Sequence, residues 1–407
     1  MVTSSLIERN TKYKLLRMSI FFLHLSFLIT MICLNSLGAI QIGSIEDLQK
    51  IGNDPGYPLN GEYELTQEID ASATKNWNNG TGFKPIGSAT NPFTGKLNGK
   101  EKKIINLYIN FQGGSNIGLF SVVSSGGQVS NCKLENIQVS GDSGVGGLVG
   151  QNYGTLTNNY LIGTISGTGI YVGGMVGENY GSLVRCNSIC RVYGGYYGVA
   201  GALVGLNSQG TISKCYSYGY VSGSGVIGGL VGWNWKGTIS QSYSTAATSG
   251  ENVIGGLSGE NYQGRIWQTY ATGRIETRGE IVGGLLGWNT GEVSQSYWDM
   301  ETTGKTTSAG GIGKSSSEMK RKSTYQGWDF NNVWDIQEGA TYPWLRAEPN
   351  PPPEGDPNEA EGDTEEEETC GCSSKHKDRS LFWKNIFDLV FIGMLITVMS
   401  GMKTRRH

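Results

Sequence analysis

The period of this chain constrains its fold more than any other feature. Between residues 146 and 293 the phrases GGLVGQNYGTL, GGMVGENYGSL, GALVGLNSQGTI, GGLVGWNWKGTI, GGLSGENYQGRI and GGLLGWNTGEV follow one another. Their shared asparagine falls at Asn152, Asn179, Asn207, Asn234, Asn261 and Asn289, so the spacings are 27, 28, 27, 27 and 28 residues. A fixed period of this length means a solenoid, a propeller or an array. Each unit holds only short apolar or β-branched runs between glycines, none reaching the ~10–12 residues of a helix. A propeller blade needs four longer strands in about 40 residues. The remaining solution is all-β: a right-handed parallel β-helix, or β-solenoid, with about one coil per 27–28-residue repeat and a cap at both ends.

In such a coil each position recurs one strand spacing away, roughly 4.8 Å, so the columns of the repeat become ladders. Leu148, Met175, Leu203, Leu230, Leu257 and Leu285 form one apolar column; Leu156, Leu183, Ile212, Ile239, Ile266 and Val293 form a second. Ile165, Val192 and Val221 begin a third, which suggests a three-sided core closed only by neighbouring coils. The 63 glycines lack the three-residue period of collagen. They are expected at corners with positive φ.

GGLVGxNxGxI followed by SxxYxxGxVSG resembles the GLUG repeat family of bacterial surface and adhesin-like proteins, some of which carry an immunoglobulin A-cleaving metallopeptidase domain. The resemblance covers about residues 118–298 in six copies. It implies a surface solenoid and names no ligand.

Residues 1–39 read as an export signal: Arg9, Lys12, Lys14 and Arg17 precede an apolar run, and Ser36, Leu37, Gly38 and Ala39 offer small residues for cleavage. Residues 40–115 read as an N-terminal cap with the first coils, with a helix start at Ser44. Residues 116–300 are the repeat solenoid, and the aromatic segment 301–346 is expected to plug the last coil, since aromatic side chains bury much apolar area. Residues 347–380 form a Pro-rich, acidic linker holding Cys370 and Cys372. Residues 381–407 carry an apolar stretch and a basic end. This order resembles the tripartite sorting signals of bacterial envelopes, which implies processing or anchoring at Cys370 or Cys372; a plain single-span anchor is the other reading. Either tethers the solenoid to a membrane.

The three histidines, His24, His376 and His407, all lie outside the repeats, so His-based triads and zinc peptidase motifs have no residues in the solenoid. No metal or cofactor is expected. Glu178 and Glu260 share a column three coils apart, about 14 Å by strand spacing, beyond the roughly 5–9.5 Å of glycosidase carboxylates. Glu251 and Glu280 fall at one corner of adjacent coils and read as solvated charges. Cys186 and Cys215 occupy one column on adjacent coils, within disulfide reach, with Cys190 as another candidate partner. The net charge of −3 and the absence of a basic stripe exclude a nucleic-acid groove.

The six asparagines are expected to form a structural side-chain ladder. Beside them, Trp233, Trp235, Tyr262 and Trp288 place aromatics on one face of the rod. Such a face serves either as corner packing or as a binding surface for glycans or surface proteins. The sequence therefore points to a membrane-tethered, exported surface solenoid that acts as an adhesin or binding module without catalysis. A passive spacer and a polysaccharide-active enzyme are the alternatives.

Overall fold

A computed structural model describes residues 38–277 and 279–346. The signal-like segment 1–37, the linker, Cys370, Cys372 and the apolar tail lie outside the described residues.

The chain winds as a parallel β-solenoid of about ten turns. One coil runs through Thr155–Thr157, Tyr160–Gly167, Tyr171–Gly173 and Val176–Asn179, and each strand pairs in parallel with its counterpart in the next coil. Among the described residues these strands build sheets of ten, thirteen, six and seven strands. Each coil thus has four strands where three sides were expected. The extra side arises because a two-residue corner, Gly147-Leu148 in one coil and Ala202-Leu203 in another, separates a short strand such as Val145–Gly146 from the next, Val149–Asn152. The ten-stranded sheet begins with Ile40–Ile42 and ends with Glu292–Ser294. Nine strand spacings make that ladder about 43 Å long.

The three expected apolar columns are inside. Leu148, Met175, Leu203, Leu230, Leu257 and Leu285 are fully buried, as are Leu156 through Ile266, with Val293 half-buried at the last coil. A further column, Val145, Val172, Ala200, Ile227 and Ile254, comes from the six-stranded sheet.

The glycines serve mainly another purpose than the one expected. The corner between the ten- and thirteen-stranded sheets has positive φ, but Asn131, Asn158, Arg185, Lys214, Gln241, Gln268 and Gln295 hold it. Amide side chains can adopt that conformation at modest cost, and here they also stack: Gln241 donates to Gln268 (3.1 Å) and Gln268 to Gln295 (3.3 Å). The repeat glycines instead permit close approach. A Cβ on Gly174 would lie 1.9 Å from the Ala202 carbonyl of the next coil, and one on Gly228 1.9 Å from the Val231 carbonyl.

At the N-terminal end, Ser44 caps the helix Ile45–Lys50 by accepting the Asp47 N–H at 3.2 Å, and the helix buries Ile45 and Leu48 in the core. At the other end the first part of segment 301–346 closes the last coil, whereas its aromatic part does not. That role falls to Trp298, which lies in the core with its indole N–H donating to the Lys305 carbonyl, and to Ser308, whose hydroxyl accepts the Leu285 and Leu286 N–H groups. The residues beyond turn back along the outside of the thirteen-stranded sheet. There Trp328 and Trp334 pack on a tyrosine ladder in which Tyr216, Tyr243 and Tyr270 stack at 5.2 and 4.8 Å. The Tyr270 hydroxyl donates to the Pro343 carbonyl at 2.6 Å. Outward tyrosines in register leave an apolar stripe, and the Trp-rich segment covers it.

The asparagine ladder is continuous. Each Nδ2 donates to the Oδ1 of the next coil, from Asn152 to Asn289, at 2.7–2.8 Å. Each also bonds glycine backbone in its own turn, as when Asn207 donates to the Gly210 carbonyl at 3.2 Å. Asn207→Ala removes three bonds at once: the one it accepts from the buried Asn179 amide and those it donates to the Asn234 Oδ1 and to the Gly210 carbonyl, of which the carbonyl keeps the Thr238 N–H. A buried unsatisfied group costs about 1–3 kcal/mol, so this variant should lose about 3 kcal/mol in denaturant unfolding. Asn289→Ala, at the half-buried end of the ladder, should lose about 1 kcal/mol. Equal losses would mean that the ladder does not act as a connected unit.

Candidate functional site

Because Asn152 through Asn261 point inward and are fully buried, the residues on either side of each asparagine point outward from the seven-stranded sheet. Two outer columns result. One runs Gln151, Glu178, Leu206, Trp233, Glu260, Trp288; strand register pairs each residue with the next. The other includes Tyr153, Tyr180, Ser208, Trp235 and Tyr262, with Ser208, Trp235 and Tyr262 also paired in register.

The four aromatics singled out in the sequence are therefore brought together, although not as uniformly exposed rings. Trp288 is 45% exposed, while Trp233, Trp235 and Tyr262 are half-buried. The Lys236 ammonium sits 4.7 Å above the Trp235 ring. The indole N–H of Trp233 is buried without a hydrogen-bond partner.

Sequence reasoning treated Glu260 only as one half of a catalytic pair and so missed its neighbours. Register places it between Trp233 and Trp288, one coil from each. It is 8% exposed, and its carboxyl makes no hydrogen bond or ion pair among the described residues. Burial between these side chains, with no compensating donor, pushes its pKa up to about 7. Glu178, three coils away, has a different environment. Burial raises its pKa as well, but the Tyr180 hydroxyl donates to it at 2.7 Å and Gln151 at 3.5 Å. Tyr153 stacks on Tyr180 at 4.8 Å, extending the aromatic face toward the first repeat coils. The signal for this whole surface was the pair of positions flanking each asparagine, read down the columns.

The remaining candidates lie elsewhere. Glu251 and Glu280 are exposed at their corner. Cys186 and Cys215 share a column but stand as free, buried thiols, with the Cys186 N–H donating to the Cys215 sulfur at 3.3 Å. Cys190 pairs in register with Gly219, away from that column. Burial pushes the Cys132 and Cys190 thiols up to about 12. Tyr193, Tyr196 and Tyr197 are a second exposed aromatic group, and Tyr193 and Tyr196 border a groove of about 290 Å³ at the turn between the thirteen- and six-stranded sheets. Tyr196 and Tyr197 sit in a turn, and Tyr193 ends a strand where the neighbouring coils place Ser166 and Ser222, so no column of like residues marks them in the sequence.

Two predictions follow from these environments. Thiol titration of the denatured chain without reductant should find Cys132, Cys186, Cys190 and Cys215 all reactive; protection of Cys186 and Cys215 would show a bridge. Glu260 has a raised folded-state pKa, so the folded state holds its proton more tightly than the unfolded chain. Its contribution is therefore favourable below about pH 4.5 and is lost as pH rises toward about 7. At pH 8 the buried charge costs up to about 3 kcal/mol. Glu260→Gln should raise the melting temperature at pH 8 and leave it nearly unchanged at pH 4.5; the same effect at both pH values would refute the buried-acid assignment.

No protein-family model matches the chain. Part of it is 42% identical over 132 residues to halomucin from Haloquadratum walsbyi, covering 31% of this chain and 1% of that protein. It is also 37% identical over 118 residues to a protein of Evansella cellulosilytica named "Putative Gly-rich membrane protein", covering 28% of this chain and 14% of that one. The chain therefore spans only a small part of the length of these relatives. Among solved structures, it is similar to one described as "a putative immunoglobulin A1 protease" from Bacteroides ovatus, with a TM-score of 0.53 and 20% identity over 77% of this chain and 94% of that one. That likeness is one of fold: the neighbour shares the β-helix architecture.

Proposed function

We propose that this chain is a tethered cell-surface binding module of the adhesin type, a GLUG-type solenoid without catalysis of its own, whose recognition surface is the outer face of the seven-stranded sheet. The observation that carries this reading is the grouping of Trp233, Trp235, Tyr262 and Trp288 on that face. The tyrosine stripe of the rod is covered by its own C-terminal segment; on the tryptophan stripe, Trp288 remains 45% exposed. Aromatic rings on a polar rod stack on the apolar faces of sugar rings, and an apolar patch on an exported surface marks a contact site.

Surface placement is supported by the names of the relatives, a mucin-like name and a membrane protein, and by the export and anchoring segments read in the sequence. The non-catalytic reading is supported by the separation of Glu178 and Glu260 by three coils and by the lack of histidine in residues 38–346. In this reading the sorting-signal-like tail, through Cys370, Cys372 and the apolar segment, holds the solenoid at the envelope.

Binding to a panel of polysaccharides and host-surface glycoproteins tests the proposal. Saturable binding should be present in the native chain and reduced at least tenfold in the Trp233→Ala/Trp235→Ala/Trp288→Ala variant with unchanged circular dichroism. Absence of binding in the native chain would favour the passive spacer. Turnover of any polysaccharide in the panel would favour the enzyme.

A further inference from the structure

Glu260 and Trp233 present an unusual combination. A glutamate only 8% exposed, whose carboxyl has no hydrogen-bond or ion-pair partner among the described residues, and a buried indole N–H with none lie on adjacent coils of the same outer column. Besides the Trp233 N–H, the buried unsatisfied side-chain atoms among the described residues are on Thr248 and Trp334, in the inner column and the C-terminal aromatic cluster. The Trp233–Glu260 pair lies instead on the outer face of the seven-stranded sheet. Unpaired buried polar groups are costly, and buried charges are ordinarily matched. Of the two, the carboxyl, an acceptor with no donor or cation beside it among the described residues, is the group short of a partner.

The walls define the guest. Trp233 and Trp288 flank Glu260 one coil above and one below, so their attachment points lie roughly 9–10 Å apart. A group centred over Glu260 would sit about 4.8 Å from each wall by the same spacing, inside the ~6 Å range over which a cation is attracted to an indole face. The floor supplies one negative charge. A primary ammonium is strongly hydrated and needs several acceptors to replace its water, and this slot offers one carboxyl between apolar rings. A methylated ammonium carries the same charge with weak hydration and fits apolar walls.

We infer that Trp233, Glu260 and Trp288 form a slot for a quaternary ammonium head group of the trimethylammonium type. This rests on the reading of the same face as a recognition surface and gives that face a ligand chemistry. The cation supplies the partner that Glu260 lacks, and the indoles hold it from both sides. The raised pKa of Glu260 agrees with this geometry, because a largely buried carboxyl without a partner resists ionisation.

Calorimetric titration of the purified full-length chain at pH 8 tests the inference with three probes: choline, ethanolamine and dimethylbutanol, the uncharged carbon isostere of choline. Choline should bind saturably, and dimethylbutanol and ethanolamine at least tenfold more weakly. Glu260→Gln and Trp288→Ala should each weaken choline at least tenfold. Neither change threatens the fold, since the glutamine removes a buried charge and Trp288 is 45% exposed; circular dichroism verifies this. Tyr196→Ala, on a distant turn, should leave choline binding unchanged. Equal binding of choline and dimethylbutanol, or undiminished choline binding by Glu260→Gln, would overturn the inference. If choline does not bind while polysaccharide binding is lost in the triple tryptophan variant, the recognition face stands and the ammonium slot falls. If neither ligand class binds, both fall.

Discussion

The structure rests on parallel, in-register pairing of each coil with the next. Once a chain repeats every 27–28 residues and its strands pair without slippage, every side chain meets its own counterpart about 4.8 Å away. Slippage by one residue would expose the apolar columns and bury the polar ones. The asparagine ladder opposes that slippage, because its amides link only when all the coils share one register, and Asn152 to Asn289 are joined by five such bonds at 2.7–2.8 Å. The glycine corners serve the same register from the other side. They let backbones of successive coils approach where a single Cβ would collide, as at Gly174 and Gly229.

Stacking of like positions also decides what reaches the surface. A tyrosine that recurs in one column becomes a stripe, and the stripe from Tyr216 to Tyr297 is covered by the chain's own Trp328, Phe330 and Trp334. Where the column varies, neighbours differ, and chemistry becomes possible. Glu178 finds Tyr180 and Gln151 beside it and is hydrogen-bonded. Glu260, at the equivalent place three coils on, finds only Trp233 and Trp288 and remains unpaired. Two identical residues at equivalent positions thus acquire different properties through their vertical neighbours alone.

The same logic separates stability from recognition. Inner columns, amide ladders and the end closures at Ser44 and Trp298 account for a solenoid that stands on its own. None of them requires tryptophan on the outer face of the seven-stranded sheet, and none is improved by a largely buried carboxyl there. A feature that costs stability and contributes nothing to the core is where local rules yield to function.

The repeat by itself determined the all-β solenoid, the coil length, three of the apolar columns and the asparagine ladder, because each follows from a period and a burial pattern that are local in sequence. It also placed Trp233, Trp235, Tyr262 and Trp288 on one face. Three things were decided only in three dimensions. The fourth strand of each coil depends on how tightly a two-residue corner turns, which composition does not specify. The aromatic segment around Trp334 carries no register, so its resting place on the tyrosine stripe, rather than over the open end, was set by which apolar surface remained uncovered after the coils had stacked. The character of Glu260 depends on residues 27 and 28 positions away; its neighbours along the chain, Gly259 and Asn261, give no sign of it, and only the stacking of coils makes it a buried, unpaired acid between two indoles.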